Sequence, residues 1–233
     1  MKSLIIGGGE IGKSLKKVLE TKHEVYLKDI EDLELDGVEV LNICYPYSKD
    51  FVKITKDYIK KYKPHLVIIH STVKPGTTEK IGEIAVHSPC HGKHPNLEGG
   101  IRTFVKYIGG ENPEQLLLAE QYLEPCGIKI MVVANSKTSE LSKVLCTTYY
   151  GWNILFMKEV IKICKKNKVP FHEVYTYWNE FYNQGYKNLN MQQFRRPVLN
   201  PVKGKIGGHC VVNNCSLLDS FITKTIKEKN EEY

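Results

Sequence analysis

Six residues near the start constrain this chain more than any others: Gly7-Gly8-Gly9-Glu10-Ile11-Gly12. The apolar run at residues 2–6 reads as a strand. Residues 10–20 read as a helix, with Ile11, Leu15, Val18 and Leu19 on one face. A strand that turns straight into a helix over GxGxxG spacing needs glycine for three reasons. Gly7 permits the tight turn, Gly9 lets backbone approach a phosphate, and Gly12 lets helix and strand pack closely. The first turn of the helix then offers unpaired N–H groups and a favourable dipole to an anion. Gly7, Gly9, Glu10, Ile11 and Gly12 are therefore candidate pyrophosphate contacts.

A second strand is expected at residues 23–27, and Asp29 follows it about 20 residues beyond the glycines, placed to accept hydrogen bonds from ribose hydroxyls. A carboxylate there repels a 2′-phosphate, so NAD is the expected cofactor. Further strands are expected at residues 38–44, 65–70, 83–87 and 129–133, with an edge strand at 107–109. Helices are expected at 50–62 and 113–123. Strands that alternate with helices from the outset give an α/β, Rossmann-type parallel sheet. Ligands of such sheets sit at the carboxyl ends of the strands. Tyr45, Pro46, Ser71 and Thr72 occupy those ends and are candidate cofactor contacts.

Near residue 135 the pattern changes. Residues 139–167 read as one helix, with Leu141, Leu145, Tyr149, Trp152, Phe156, Val160 and Ile163 spaced by threes and fours. Its length, roughly 43 Å, is too great for a small α/β layer and suits a helical second domain. The expected domains are thus 1–135 and 136–233. Pro170 ends the long helix and 171–182 forms another. Residues 185–208 read as loop, 215–228 as a last helix, and the charged tail as frayed.

Composition narrows the class. No apolar run reaches the roughly 18 residues of a membrane span. The first residues lead directly into a strand with no signal-peptide layout, so a cytoplasmic protein is expected. The seven cysteines (Cys44, Cys90, Cys126, Cys146, Cys164, Cys210 and Cys215) are odd in number and lack CxxC spacing, which argues for free thiols. The net charge of +7 is mostly lysine on helix faces, such as Lys162, Lys165, Lys166 and Lys168, with a share left to attract an anionic ligand. No nucleic-acid motif is visible, so neither nucleic acid nor membrane is an expected partner. His87, Cys90, His91 and His94 cluster in sequence. The interspersed Pro89, Gly92 and Pro95 suggest an irregular loop beside the cofactor rather than a metal site. His91 and His94 are candidate substrate contacts. The aromatic residues Tyr149, Trp152, Phe156, Tyr175, Tyr177 and Trp178 are expected in the core or a dimer interface.

Four segments occur in the order found in one family. The segment from His70 to Thr78 resembles the "STVPPGTT" segment of the UDP-glucose/GDP-mannose dehydrogenases. His87-Ser88-Pro89 resembles that family's "SPE" strand end, and Glu140-Leu141-Ser142-Lys143 its "AE-x-x-K" helix start. The segment from Asn200 to Cys210 resembles its "NPSFGxGGxC" loop. The resemblance covers nearly all of the chain but only the family's first two domains. It implies oxidation of a nucleotide-sugar alcohol to aldehyde and acid with NAD, through a cysteine thiohemiacetal. In that scheme Cys210 is the nucleophile, Lys143 stabilises the oxyanion or moves a proton, and Thr72 orders a water. Gly204 and Gly207 let the substrate approach backbone, and the long helix carries a homodimer. Three positions depart from the family: Cys90 stands where it has Glu, Thr147 where it has Asn, and Asn214 where it has Asp. These departures leave open two alternatives. One is a dehydrogenase of a small hydroxyacid, of prephenate or 3-hydroxyacid type; His94-Pro95 resembles the prephenate dehydrogenases. The other is a dinucleotide-binding protein without catalysis.

Overall fold

The computed structural model describes residues 1–207 and 210–233; Gly208 and His209 of the expected glycine-rich loop lie outside the described residues. The chain divides into two compact units, residues 1–144 and 145–233.

The first unit is built on seven strands: β1 (Lys2–Ile6), β2 (Glu24–Lys28), β3 (Val40–Ile43), β4 (Leu66–Ile69), β5 (Ala85–His87), β6 (Lys106–Gly110) and β7 (Ile130–Val132). They lie in the order β2-β1-β3-β4-β5-β6-β7. Every pairing is parallel except β5 with β6. The order reverses between β1 and β3, so the carboxyl ends of these two strands flank the crevice where α/β sheets take ligands. The core explains the parallel arrangement. On β4, Leu66 and Ile68 join a cluster with Ile5, Leu15, Leu19 and Tyr122, while Val67 and Ile69 join another with Leu4, Leu41 and Phe51. Both faces are covered, which is what a nearly continuous apolar strand requires.

The helices of this unit are α1 (Glu10–Leu19), α2 (Phe51–Tyr62), α3 (Thr77–Ile81), α4 (Leu97–Thr103) and α5 (Pro113–Leu123). Asn112 caps α5 through Glu114 N at 2.9 Å, with Pro113 at the first helical position. The short helices α3 and α4 fall where the sequence pattern showed no periodicity. The run 107–109 is not an edge strand: β6 lies between β5 and β7, and Lys106 at its start is 3 % exposed.

The long helix α6 (Ser136–Asn167) starts three residues earlier than its apolar spacing suggested. It ends in left-handed Lys168 (φ 57), ahead of Pro170. A π-helical turn at His172–Tyr177 leads into α7 (Trp178–Asn188). The expected loop 185–208 is therefore helical to Asn188, with a further 3-10 turn at Gln192–Phe194. Asn183 accounts for this packing: its amide donates to Arg196 O and accepts from Arg196 N, both at 2.8 Å, tying the strand-like return to α7. The last expected helix, 215–228, starts six residues later as α9 (Phe221–Asn230), and a short helix α8 (Val211–Cys215) precedes it. Ser220 and Thr223 form a reciprocal capping box that starts α9 afresh. The second unit's core joins Ile154, Leu155 and Met157 of α6 to Tyr175, Ile206, Val211 and Ile226. Gly151 makes room for α8, since a Cβ there would lie 2.6 Å from Val211 Cγ1.

Candidate functional site

At the glycine turn each motif glycine has a distinct physical reason. Gly7 takes φ +109, and a Cβ on it would lie 2.8 Å from Tyr45 N. At Gly12 a Cβ would fall 2.0 Å from Gly7 O, so α1 can pack on the turn only with glycine there. At Gly9 a Cβ would meet nothing within 4 Å. The protein's own packing does not demand glycine at that point; the space beside it does. Gly9 is also the N-cap of α1 and offers no side chain to the first-turn amides. Open space, free helix N–H groups and a positive dipole end together form a cradle for a phosphate anion.

Asp29, exposed at the end of β2, accepts from Gly8 N at 3.0 Å. The bond orients one carboxylate oxygen toward the glycine turn. The neighbouring Lys28 is buried, and its ammonium donates to Glu31 O at 2.7 Å. Its charge is used to hold the turn after β2.

At the ends of β3 and β4 the hydroxyl groups are largely engaged. Tyr45 shares its hydroxyl with Thr55 Oγ1 at 2.6 Å, and burial pushes its pKa up to about 12. Ser71 donates to Tyr45 O at 2.6 Å, pinning the two strand ends together. Pro46 is exposed and Thr72 half-buried. A cavity of about 380 Å³, bounded by Asp36, Glu39, Lys61, Lys63 and His65, lies at the opposite, amino ends of β3 and β4. Its place in the sheet is the wrong one for the dinucleotide crevice.

Beyond β5 the sequence cluster of His87, Cys90, His91 and His94 disperses. His87 is fully buried, with Nδ1 on Ser139 Oγ at 2.8 Å and Nε2 on Ser71 O at 3.1 Å. Burial lowers its pKa to about 3. Cys90 is buried, with Lys106 Nζ 3.4 Å from Sγ. His94 is exposed and meets the Glu10 carboxylate of α1. His91 is half-buried between Phe104 and Tyr107, and burial, followed by Lys143 and Lys106, lowers its pKa to about 4. Among the described residues no group of three or more His, Cys, Asp or Glu is arranged to hold a metal ion. Lys143 donates to Cys90 O at 2.7 Å, so the start of α6 and the end of β5 meet at these two residues.

Two residues here are buried with roles that the sequence did not assign. Lys106 donates to Ser88 O at 2.6 Å, and no sequence signal marks a strand-start lysine as internal. Glu140 is fully buried and accepts from Gly76 N (2.5 Å), Thr78 N (2.8 Å) and Thr78 Oγ1 (2.7 Å). It thereby satisfies the start of α3. Burial raises its pKa against the pull of those donors.

In the second unit Cys210 is exposed and directly precedes α8. Gly204, at φ +67, and Gly207 are exposed in the preceding segment. Thr147 and Asn214, two of the three positions that depart from the resembled family, bond each other: Asn214 Nδ2 donates to Thr147 Oγ1 at 3.2 Å. All seven cysteines are free thiols, and no helix among the described residues is long and apolar enough to cross a membrane.

The sequence matches no family model. It is 26 % identical over 171 residues to the UDP-N-acetyl-D-mannosamine dehydrogenase of Methanococcus vannielii, covering 71 % of this chain and 36 % of that one. With the enzyme of the same name from Pyrococcus horikoshii it is 24 % identical over 232 residues, covering 90 % and 52 %. The chain thus spans about a third to a half of the length of these curated relatives. Among solved structures, the UDP-D-ManNAc dehydrogenase from Pyrococcus horikoshii superposes with a TM-score of 0.80 at 20 % identity, over 100 % of this chain and 68 % of that one. A Mycobacterium tuberculosis 3-hydroxyisobutyrate dehydrogenase superposes with a TM-score of 0.73 at 16 % identity, over 100 % and 94 %. At these identities the structures establish the α/β Rossmann-like fold with its long helix and helical C-terminal region.

Proposed function

We propose that this chain, which fits the UDP-glucose/GDP-mannose dehydrogenase family over the N-terminal part of its members, is an NAD-dependent oxidoreductase acting on the CH–OH group of a nucleotide sugar. The observation that carries the reading is the open cradle at Gly9, under an uncapped helix N-terminus and beside Asp29. Gly7, Gly9, Glu10, Ile11 and Gly12 would hold the pyrophosphate and Asp29 the adenosine ribose. Tyr45, Pro46, Ser71 and Thr72 would line the rest of the crevice. The exposed Asp29 carboxylate repels a 2′-phosphate, and the Lys28 ammonium is buried on Glu31 O, which favours NAD over NADP. When bound, the dinucleotide supplies the hydride acceptor for each two-electron oxidation.

The chain's own residues supply the rest. The Cys210 thiolate adds to the aldehyde carbon, and the C–S bond turns an aldehyde into a thiohemiacetal that can be oxidised again. Lys143 steadies the oxyanion. Water, ordered by Thr72, then adds to the thioester, breaks the C–S bond and releases carboxylate and thiol. Asn214, bonded to Thr147, offers an amide where the resembled family has a carboxylate, so thioester hydrolysis is expected to be the slow step. His91, His94, Gly204 and Gly207 are the proposed contacts of the anionic substrate. The stripe of Tyr149, Trp152, Phe156 and Ile163, all more than a third exposed on α6, supports a homodimer formed through the long helix. A cytoplasmic location fits this chemistry.

The test is absorbance of reduced nicotinamide with NAD and a panel of UDP-, GDP- and N-acetylated nucleotide sugars, wild type beside Cys210→Ser. Turnover that stops after one hydride in the variant supports the reading. Silence on the whole panel, with dinucleotide binding confirmed by calorimetry, refutes it. One observation favours a second reading: the chain matches 94 % of the length of a 3-hydroxyisobutyrate dehydrogenase. A small hydroxyacid would then be the substrate, a neutral histidine such as His91 the base, and Cys210→Ser would leave activity intact.

A further inference from the structure

Lys158 lies on α6 in the second unit and is 3 % exposed, yet its ammonium faces no carboxylate at bonding distance among the described residues. Nζ donates to Val202 O at 2.9 Å and to Gly204 O, and it sits 4.6 Å from the centre of the Tyr233 ring. Taking an ammonium out of water is costly unless its donors are satisfied. Here two carbonyls of one loop and an aromatic face satisfy it. Among the described residues, the charged groups next to it have partners of their own. Lys162 also lies over the Tyr233 ring, 4.0 Å from its centre, and pairs with Glu159 and Glu232; Glu159 takes the Tyr233 hydroxyl; Lys205 pairs with Glu231 of the chain's last turn.

The loop held in this way is the one that runs on toward Cys210. Both carbonyls belong to residues that make no strand or helix, and Gly204 is left-handed, so no regular backbone ladder defines the path of residues 202–204. Two further anchors flank it. Ile206 is buried and its N–H donates to Asn230 Oδ1 at 2.5 Å, while Val211, directly after Cys210, packs against Gly151 of α6. The sequence at Lys158 reads as one more surface lysine among the lysines of α6.

We propose that Lys158 is the positioning residue of the Cys210 loop, its buried ammonium fixing the path of residues 202–204 by binding two of their carbonyls beneath Tyr233. The proposal rests on the reading of Cys210 as nucleophile, but its test does not. Lys158→Met keeps the length of the side chain and removes the cation. Two readouts follow the loop itself in the full chain: hydrogen exchange at the Ile206 amide, and the rate of alkylation of Cys210 by iodoacetamide, with exposed Cys146 as internal reference.

Loss of one tether of this kind is expected to speed exchange at Ile206 about tenfold, and to change Cys210 alkylation while Cys146 holds its rate. Lys158→Arg, which keeps a cation with several donors, is expected to move both readouts back toward wild type. Where nucleotide-sugar turnover is found, kcat falls about tenfold or more with the KM for dinucleotide unchanged, as a displaced nucleophile requires. Should Lys158→Met fail to fold, Tyr233→Leu uncovers the same ammonium and is expected to move the two readouts in the same direction. Unchanged exchange and alkylation in the variant overturn the proposal. So does a loosened loop with unaltered Cys210 chemistry. A silent substrate panel with a loosened loop and altered alkylation refutes the sugar dehydrogenase and leaves the positioning role standing.

Discussion

His87 should make the first unit measurably less stable in mild acid. Buried between Ser139 Oγ and Ser71 O, it stays neutral in the folded chain down to about pH 3, whereas an exposed histidine takes its proton near 6.5. A folded-state value below the unfolded one gives stability that is complete above pH 6.5 and is lost as pH falls from there toward 3. The full difference corresponds to about 5 kcal/mol. Between pH 7 and pH 5 the expected loss is about 2 kcal/mol, because the unfolded chain is nearly all protonated at pH 5 and the folded chain is not. His70, held well below its usual range by burial, adds a loss of the same sign. His87→Gln reads mainly the His87 share, because burial and Lys106, which act on His70 before His87 does, remain in both proteins. Denaturant unfolding at the two pH values is best followed by far-UV circular dichroism and by amide exchange in β4 and β5. Both tryptophans, Trp152 and Trp178, lie in the second unit and report on that unit instead. The advantage of wild type over His87→Gln should shrink by about 2 kcal/mol from pH 7 to pH 5. A gap that holds constant to within about 0.5 kcal/mol would show that the histidine is solvated or protonated in the fold, and the reasoning would fail.

Two glycine substitutions should separate stability from binding. Gly9→Ala enters open space, so unfolding should shift little while affinity for reduced dinucleotide, read by fluorescence titration, falls at least tenfold as the methyl occupies the phosphate cradle. Gly12→Ala drives a methyl into Gly7 O and should destabilise the first unit by about 1–3 kcal/mol or more, read by circular dichroism. Glu140→Ala strands the amides of Gly76 and Thr78 and should cost about 3 kcal/mol, with faster exchange at those amides as the check. Solution scattering at micromolar concentration should report a dimer, and Phe156→Glu should shift it to monomer; a monomeric wild type would refute the helix-mediated pairing.

How far the sequence could be read depended on whether an interaction is local. The glycine turn and the alternation of strand and helix each rest on neighbours within a few residues or on one repeating period, and these were legible. The long helix was legible for the same reason, and so was its end ahead of Pro170. The late start of the final helix was missed because the Ser220–Thr223 box opens it by local hydrogen bonds that apolar spacing does not record. The tertiary structure alone decided which polar groups went inside. Lys106 and Lys158 have the side chain of any surface lysine. They are buried because carbonyls of Ser88, Val202 and Gly204, 18 to 46 residues distant, supply acceptors that only folding brings within reach. His87 and His94, seven residues apart, fall in one histidine and cysteine cluster of the sequence. The fold sealed one between Ser71 and Ser139 and left the other at the surface on Glu10, because a strand end faces the core and the loop after it faces water.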